Sequence, residues 1–326
     1  YVLDPVNFER KIDSLTSLKK AALNKLKSQV SVSQDYLAVA MASIDFNAYV
    51  FKEKYPFIHR RRLHEKTIPE LPVNFYDYRK KINYNDRTLA YYRPYYDYMV
   101  LNIGNMSYMN CRNKCADAGE DFNKLHFNEH KLKLIDSIFK EKNLRDNLFR
   151  NVAMDYLLKT RDSYENNKIF MEEFHKYSHN NEHIAEIDDV YYGIQNLRPE
   201  SKIPNVFVYD ALGNKVDLQE VSQKYKNTVF YFWTGAQRVH FDNIARRIKQ
   251  LSLERPDYTF VGINFNTDSA LWKAMIELNK LDTSTQFRSD NYQELTKALI
   301  IYPTNKGIVT KDGLIVDAFA NIYGSF

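Results

Sequence analysis

The chain changes from a strand pattern to a helix pattern within Thr228-Val-Phe-Tyr-Phe-Trp-Thr-Gly-Ala-Gln-Arg-Val-His-Phe-Asp-Asn-Ile244. The run from Val229 to Trp233 is short, apolar and rich in β-branched and aromatic residues, which predicts a fully buried strand. After Thr234-Gly235, apolar residues recur at helical spacing. They are Phe241, Ile244, Ala245, Ile248 and Leu251. A buried strand that leads into a helix N-terminus often carries the chemistry of an α/β fold, because unpaired backbone N–H groups and the helix dipole meet there.

Residues 1–197, before this stretch, predict an all-α domain of about six helices. Asp4 followed by Pro5 is a typical helix start, and Pro56 indicates the end of the second helix. The connection after Pro56 then carries His59-Arg-Arg-Arg62. The predicted helices span Pro5 to about Ser28, Ser33 to about Tyr55, a segment ending near Gly119, and three or four segments within 126–196.

Residues 198–326 predict an α/β domain, and Leu197 to Pro204 forms the boundary. The predicted elements are a hairpin over Val206–Leu218, strands over Val229–Trp233 and Tyr258–Asn264, a helix over Ser269–Leu281, and an antiparallel pair formed by Gly307–Thr310 and Leu314–Ala318. Strands separated by helices and closed by a hairpin indicate a mixed central sheet flanked by helices.

Composition excludes several classes of protein. With 326 residues, 44% of them hydrophobic, the chain can bury two cores. A net charge of +5, spread along the chain, gives no indication of nucleic-acid binding. No apolar run approaches the roughly 18 residues of a membrane span. The phosphate-loop, serine-elbow, zinc-protease and dinucleotide motifs do not occur, so we expect no cofactor.

The second half of the chain resembles the TlpA-type thiol-disulfide oxidoreductases, a thioredoxin-like family anchored in the cell envelope. Four features support the resemblance, and they occur along the chain in the same order as in the family. They are the lead-in Ile203-Pro204 with its hairpin, Phe232-Trp233 at the end of the central strand, Tyr302-Pro303-Thr304 where the family has its cis-proline, and the turn Lys311-Asp312-Gly313. The resemblance implies a thioredoxin-like domain over residues 198–326.

The family's redox motif is absent at the place where the resemblance predicts it. Aligned on Phe232-Trp233, the two cysteines of its Cys-x-x-Cys motif fall on Gln237 and His240. Disulfide exchange needs a thiolate that attacks a disulfide, which neither an amide nor an imidazole can do. We therefore expect a degenerate active site and, on balance, a protein that is not an enzyme.

The candidate binding residues follow from the same resemblance. Gln237, Arg238 and His240 could offer donors to an acidic or carbonyl group, and the alternative is a vestigial helix start that faces solvent. Tyr302-Pro303 could hold an extended peptide by strand-type hydrogen bonds, as the family's cis-proline loop does, or could serve only the turn. Trp233, beside them, completes the candidate set.

Cys111 and Cys115 are the two cysteines of the chain. Spaced four apart on a predicted helix, they share one face, and a disulfide between them would strain that helix. Two thiols or a structural bond are more typical than a second redox centre.

Histidines also recur every four residues, without an accompanying cysteine, so we predict surface histidines and no metal site. They are His126, His130, His175, His179 and His183.

These observations favour a non-catalytic cell-envelope protein, periplasmic or associated with the outer membrane, that binds proteins within a larger assembly. The alternatives are an oxidoreductase that works through Cys111 and Cys115, and a binder of a small ligand or peptide at the degenerate corner. The chain opens at Tyr1 without an initiator Met and stops soon after its last predicted strand. We therefore expect a thioredoxin-like domain that lacks its last helix, and by resemblance a lipoprotein with a lipid anchor upstream of these residues.

Overall fold

The computed structural model describes residues 1–114, 125–160, 162–302 and 304–324. The chain forms two compact units, a helical unit over Tyr1–Ile184 and a sheet unit over Ala185–Phe326. The division falls inside a helix, and the boundary predicted from the sequence lies just beyond the end of that helix. The predicted fold class, an N-terminal helical region followed by a mixed sheet, is confirmed.

Within the described ranges, α-helices dominate the chain before the first strand. They are α1 (Pro5–Gln29), α2 (Gln34–Arg62), α3 (Arg93–Lys114), α4 (Leu125–Ile138), α5 (Lys142–Asp155), α6 (Tyr164–Tyr177) and α7 (Asn181–Asn196). The first two begin where the sequence predicted. The Asp4 carboxylate accepts a hydrogen bond from the Asn7 N–H at 3.0 Å, and the Ser33 hydroxyl accepts one from the Tyr36 N–H at 3.2 Å. The predicted end near Gly119 lies outside the described residues.

Helix α2 continues through Pro56, so the prediction that Pro56 opens a connection is wrong. A proline inside a helix costs about 3 kcal/mol, because it removes one hydrogen bond and crowds the preceding turn. Burial of Tyr55, Pro56 and His59 offsets this cost. The Tyr55 hydroxyl donates to the Leu3 carbonyl at 2.7 Å, and the His59 Nδ1 lies 2.7 Å from the Tyr1 carbonyl. His59-Arg-Arg-Arg62 therefore forms the last turn of α2, where positive charge complements the helix dipole.

A buried carboxylate lies at the centre of the helical unit. The Glu53 side chain is fully buried on α2, and the Arg79 guanidinium binds both of its oxygens, at 2.9 and 2.5 Å. The Tyr78 hydroxyl and the side-chain amide of Asn102 each donate to Glu53 Oε1 at 2.8 Å, and the Asn105 amide donates to Oε2 at 2.6 Å. One carboxylate thus joins α2, α3 and the segment between them.

Replacing the buried Tyr55 should reduce the amount by which the free energy of unfolding falls at alkaline pH. Burial, reinforced by the charges of Asp4 and Glu65, raises the pKa of Tyr55 to about 12, from 10.0 for a solvated phenol. The folded state therefore holds the phenol proton more tightly, and the resulting stability is complete below pH 10 and is lost as pH rises through 12. In the wild type, titration of Tyr55 should lower the free energy of unfolding by about 2 kcal/mol between pH 10 and pH 12, and we expect Tyr55→Phe to remove this loss.

Urea titrations at several alkaline pH values measure this effect as the change of unfolding free energy with pH. Tyr91→Phe is the matched control, since the Tyr91 ring is 76% exposed. Equal pH slopes for the wild type and Tyr55→Phe would contradict the prediction.

The sheet unit contains seven strands in one sheet, in the order β2-β1-β5-β4-β3-β6-β7. The strands are β1 (Phe207–Tyr209), β2 (Lys215–Asp217), β3 (Asn227–Trp233), β4 (Thr259–Phe265), β5 (Gln286–Ser289), β6 (Lys306–Lys311) and β7 (Leu314–Asn321). The helices are α8 (Leu218–Lys224), α9 (Arg238–Glu254), α10 (Ser269–Leu278) and α11 (Tyr292–Leu299). Strands β3, β4 and β5 are parallel, β6 pairs antiparallel with β3, and β7 pairs antiparallel with β6. The unit is therefore a mixed sheet flanked by helices.

The core of the sheet unit contains the residues that the sequence pattern predicted. Every residue of β3 from Thr228 to Trp233 is buried, which confirms the central buried strand. The five apolar residues at helical spacing on α9 are all buried against the sheet. The rings of Trp233 and Phe241 lie 4.4 Å apart, so the end of β3 and the first turns of α9 share one core.

Candidate functional site

The candidate site is the corner where β3 ends and α9 begins. Its turn closes with a hydrogen bond from the Gln237 N–H to the Thr234 carbonyl at 3.3 Å. The Gly235 N–H donates to the Thr267 hydroxyl at 2.7 Å, which ties the turn to the loop that follows β4. A side chain at Gly235 would contact the Thr267 methyl at 2.8 Å, so this close approach requires glycine. The corner therefore lies at the carboxyl edge of the parallel strands, where α/β sheets bind ligands.

Gln237 occupies the N-cap position of α9, with φ −113° and ψ 68°, and its side chain makes no capping hydrogen bond. The side chain is exposed. An N-cap that does not use its side chain leaves the first N–H groups of a helix available to solvent or to a ligand. The structure therefore places Gln237 at the helix start, as predicted.

Arg238 and Val239 form the exposed surface of the first turn. The Arg238 side chain is 53% exposed, and its Nε donates to the Asp242 carboxylate one turn later at 3.0 Å. Such an exposed ion pair contributes only about 0.3–0.5 kcal/mol, so a partner could replace it at little cost. Val239, the next residue, is 75% exposed, so the first turn also presents a branched apolar side chain to solvent.

His240 turns back toward the sheet rather than outward. Its Nε2 lies 3.1 Å from the Phe232 carbonyl in β3. Because a carbonyl oxygen can only accept, Nε2 carries the proton and donates it, which leaves Nδ1 as the second nitrogen of the ring. The ring is half-buried. His240 thus links the start of α9 to the end of β3, and only part of its ring can meet a ligand.

Trp233 is completely buried, with 0% exposure, beneath this turn. Its ring packs against Phe241 and belongs to the core of the sheet unit. Trp233 therefore supports the corner from inside and presents no surface to a partner.

Tyr302 lies on the loop that precedes β6, at the edge of the sheet where β3 ends. Its ring is 49% exposed, and its N–H donates to the Ile300 carbonyl at 2.8 Å. Strand β6 pairs antiparallel with β3 as far as Gly307 opposite Tyr231, which leaves Tyr302 beyond the paired region. Within the described ranges, no hydrogen bond or ring contact joins Tyr302 to the first turn of α9. Pro303 lies outside the described residues.

The cysteines and histidines of the helical unit show an arrangement that the sequence analysis missed. Cys111 is 1% exposed on α3, and Cys115 lies outside the described residues. The possible ligand atoms of Cys111, His126 and His130 all lie within 4.8 Å of one another. The expectation that no cysteine accompanies these histidines is therefore wrong, because packing of α3 against α4 brings Cys111 to them. The four-residue spacing of the histidines was readable in the sequence, whereas the packing of Cys111 was not.

The other histidines do not form such a group within the part of the chain that the structure describes. His175 is exposed on α6, and His179 is exposed in the gap between α6 and α7. Asn180 caps the N-terminus of α7, since its side-chain oxygen accepts from the N–H groups of Glu182 and His183 at 3.1 Å. The helical backbone is therefore interrupted between Tyr177 and Asn181.

The helical unit also contains a cleft of about 800 Å³ that the sequence analysis did not predict. Lys54, Arg60 and Lys66 contribute positive charge to it, and Lys131 lies beside the Phe127 ring at 4.4 Å. Burial lowers the pKa of Lys131 to about 8. The lining residues come from α2, α3, α4, α5 and the connection after α2, so no local motif could have indicated the cleft.

None of the helices within the described ranges is both long and apolar enough to cross a bilayer.

Comparison with known proteins gives similarity only at the level of structure. No protein-family model matches the sequence, and no curated protein sequence matches it significantly. The thioredoxin domain of a thiol-disulfide oxidoreductase from Bacteroides vulgatus is 21% identical, with a TM-score of 0.32, over 37% of this chain and 86% of that one. A thioredoxin-like protein from Parabacteroides distasonis is 19% identical, with a TM-score of 0.30, over 39% and 90%. A secreted disulfide oxidoreductase from Mycobacterium tuberculosis is 18% identical, with a TM-score of 0.29, over 34% and 81%.

Proposed function

We propose that this chain is a non-catalytic thioredoxin-like protein that binds protein partners at the start of α9, as a subunit of a larger assembly in the cell envelope. The observation that carries the proposal is the first turn of α9. It presents an amide, a guanidinium, a branched apolar group and an imidazole, and no thiol. These are Gln237, Arg238, Val239 and His240.

The absence of sulfur at this turn removes disulfide exchange from the corner. The reaction needs a thiolate to form a mixed disulfide and a second thiol to resolve it. Gln237 can neither attack nor leave, and His240 is bound to the Phe232 carbonyl. The redox motif of the TlpA-type family is, on this proposal, lost from a retained scaffold.

The surface of the corner suits a protein partner. Val239 is 75% exposed, and Leu271, which is 48% exposed, lies beside Gly235. Around these apolar groups, Arg238 and the open N–H groups of the helix start can donate to carbonyl or carboxylate oxygens. Apolar contact surrounded by donors is the usual composition of a protein interface. The Tyr302-Pro303 loop would extend the surface by holding a segment of the partner, as in the family.

The cellular setting of the proposal follows from the resemblance alone. We propose a periplasmic or outer-membrane-associated protein, anchored as a lipoprotein, with no cofactor at the corner. We also propose residues 1–197 and 198–326 as its functional domains.

Substitution of Val239 tests partner binding. The protein is isolated with chemical crosslinking from the cells that produce it, and its partners are quantified by mass spectrometry. We expect Val239→Lys to reduce recovery of the main partners by at least about 10-fold, which corresponds to about 1.4 kcal/mol of binding free energy. Leu253→Lys is the matched control, since Leu253 is 85% exposed at the far end of α9. Equal recovery for both variants and the wild type would remove the corner from the interface.

An insulin-reduction assay separates this proposal from the oxidoreductase alternative. We expect the purified wild type to reduce insulin no faster than buffer with the same reductant. Activity that Cys111→Ser or Cys115→Ser abolishes would instead support a redox centre in the helical unit. The burial of Cys111 disfavours that outcome, because an attacking thiol must reach its partner.

A further inference from the structure

Three potential metal ligands converge in the helical unit. His126 and His130 are four residues apart on α4, so they share one face of the helix. Their ring centroids lie 4.6 Å apart and the rings are nearly perpendicular, at 84°. Cys111, on α3, is buried against this face.

We propose that Cys111, His126 and His130 bind a divalent transition-metal ion of the Zn²⁺ type. Tetrahedral zinc bonds of about 2.0–2.3 Å place ligand atoms about 3.3–3.6 Å apart. In this structure the three ligand atoms lie within 4.8 Å of one another. Side-chain movements of roughly 1 Å are therefore enough to complete the coordination.

The chemistry of the three donors selects the class of ion. One sulfur and two imidazole nitrogens favour Zn²⁺, Co²⁺ or copper over Mg²⁺ and Ca²⁺, which prefer oxygen. Three protein ligands leave the fourth tetrahedral position to water or to a further ligand, as in zinc sites that are open to solvent. His126 is exposed, so an ion can enter from that side.

The surroundings of His130 are compatible with coordination. His130 is half-buried, and its ring centroid lies 4.6 Å from that of His126. Lys133, three residues later on α4, carries a positive charge that would repel a cation. Its side chain is exposed, so water and salt screen that repulsion.

Cobalt titration of the reduced, metal-free full chain tests the site directly. We expect one Co²⁺ per chain, strong ligand-field absorption of a tetrahedral ion, a thiolate-to-cobalt charge-transfer band, and displacement by Zn²⁺. Cys111→Ser should abolish the charge-transfer band. His126→Gln and His130→Gln should each weaken binding at least about 10-fold, since even the loss of an outer-sphere partner costs 10–100-fold.

His179→Gln is the matched control, because His179 is exposed in the same unit and lies outside the cluster. It should bind Co²⁺ as the wild type does. Far-UV circular dichroism of each variant verifies folding. Because His126 is exposed, the fold does not depend on its side chain, so His126→Gln tests metal binding separately from folding. A charge-transfer band that survives Cys111→Ser would overturn the proposal. Equal binding by His126→Gln and the wild type, or no stoichiometric binding, would do so as well.

Discussion

Glu53→Ala should lower the free energy of unfolding by about 3–5 kcal/mol, the cost of removing one partner from a buried ion pair. Arg79, whose side chain is only 18% exposed, would keep its charge without the carboxylate that binds it through two hydrogen bonds. Asn102 and Asn105 would lose their acceptors on Glu53. An unpartnered buried charge is more costly than the lost hydrogen bonds alone, because its desolvation is no longer compensated.

Chemical denaturation followed by circular dichroism measures this loss. Asp77→Ala is the control, since it removes an exposed carboxylate whose ion pair with Lys80 is worth less than about 1 kcal/mol. The double variant Glu53→Met/Arg79→Met should recover part of the loss, because it removes both charges together. A Glu53→Ala variant no less stable than Asp77→Ala would show that the buried network contributes little to folding.

The importance of Glu53 could not be predicted from the sequence. Its partner Arg79 lies 26 residues later, in the segment between α2 and α3, and the amides come from α3. A glutamate between Lys52 and Lys54 resembles the solvated face of any helix. Only the packing of α2 against α3 distinguishes it, and packing is not encoded in local periodicity.

The strand and helix at the corner could be predicted because their burial is visible in the local sequence pattern. Residues from Val229 to Trp233 are buried on both faces of the sheet, so the strand is a continuous apolar run that stands out in the sequence. In α9, one face meets the sheet and the other meets water, which produces a readable helical stripe. Shorter elements of the sheet unit were missed.

The missed elements were α8, β5 and α11. Helix α8 has 7 residues, fewer than the window over which helical periodicity is measured. Strand β5 has the polar sequence Gln286-Phe-Arg-Ser289 and is held by its neighbour β4 rather than by its own composition. Helix α11 has 8 residues and ends in a left-handed residue, Ile300. In each case tertiary contacts outweigh local propensity.

The variant Gln237→Cys/His240→Cys should gain disulfide-reductase activity that the wild type lacks. We expect insulin reduction at least about 10-fold faster than the wild type, since a helix N-terminus stabilises a thiolate and raises its fraction at neutral pH. The thiolate at position 237 would attack an insulin disulfide, forming a mixed disulfide and releasing one insulin thiolate. The thiol at position 240 would then resolve it, releasing the second insulin thiolate and leaving an intramolecular disulfide that added dithiothreitol reduces. Loss of the His240 bond to Phe232 would cost about 1 kcal/mol of stability.

The matched control for this gain is Gln250→Cys/Leu253→Cys, with the same three-residue spacing at the other end of α9. Both side chains are exposed there, but the helix dipole near its C-terminus disfavours a thiolate. This variant should remain at the wild-type rate, and Gln237→Cys alone should form mixed disulfides without rapid turnover, since nothing resolves them. Activity of the first variant no higher than that of the control would mean that the corner lacks the geometry of a redox site. The non-catalytic proposal would then lose its premise, a thioredoxin-like active site that has kept its shape and lost only its sulfur.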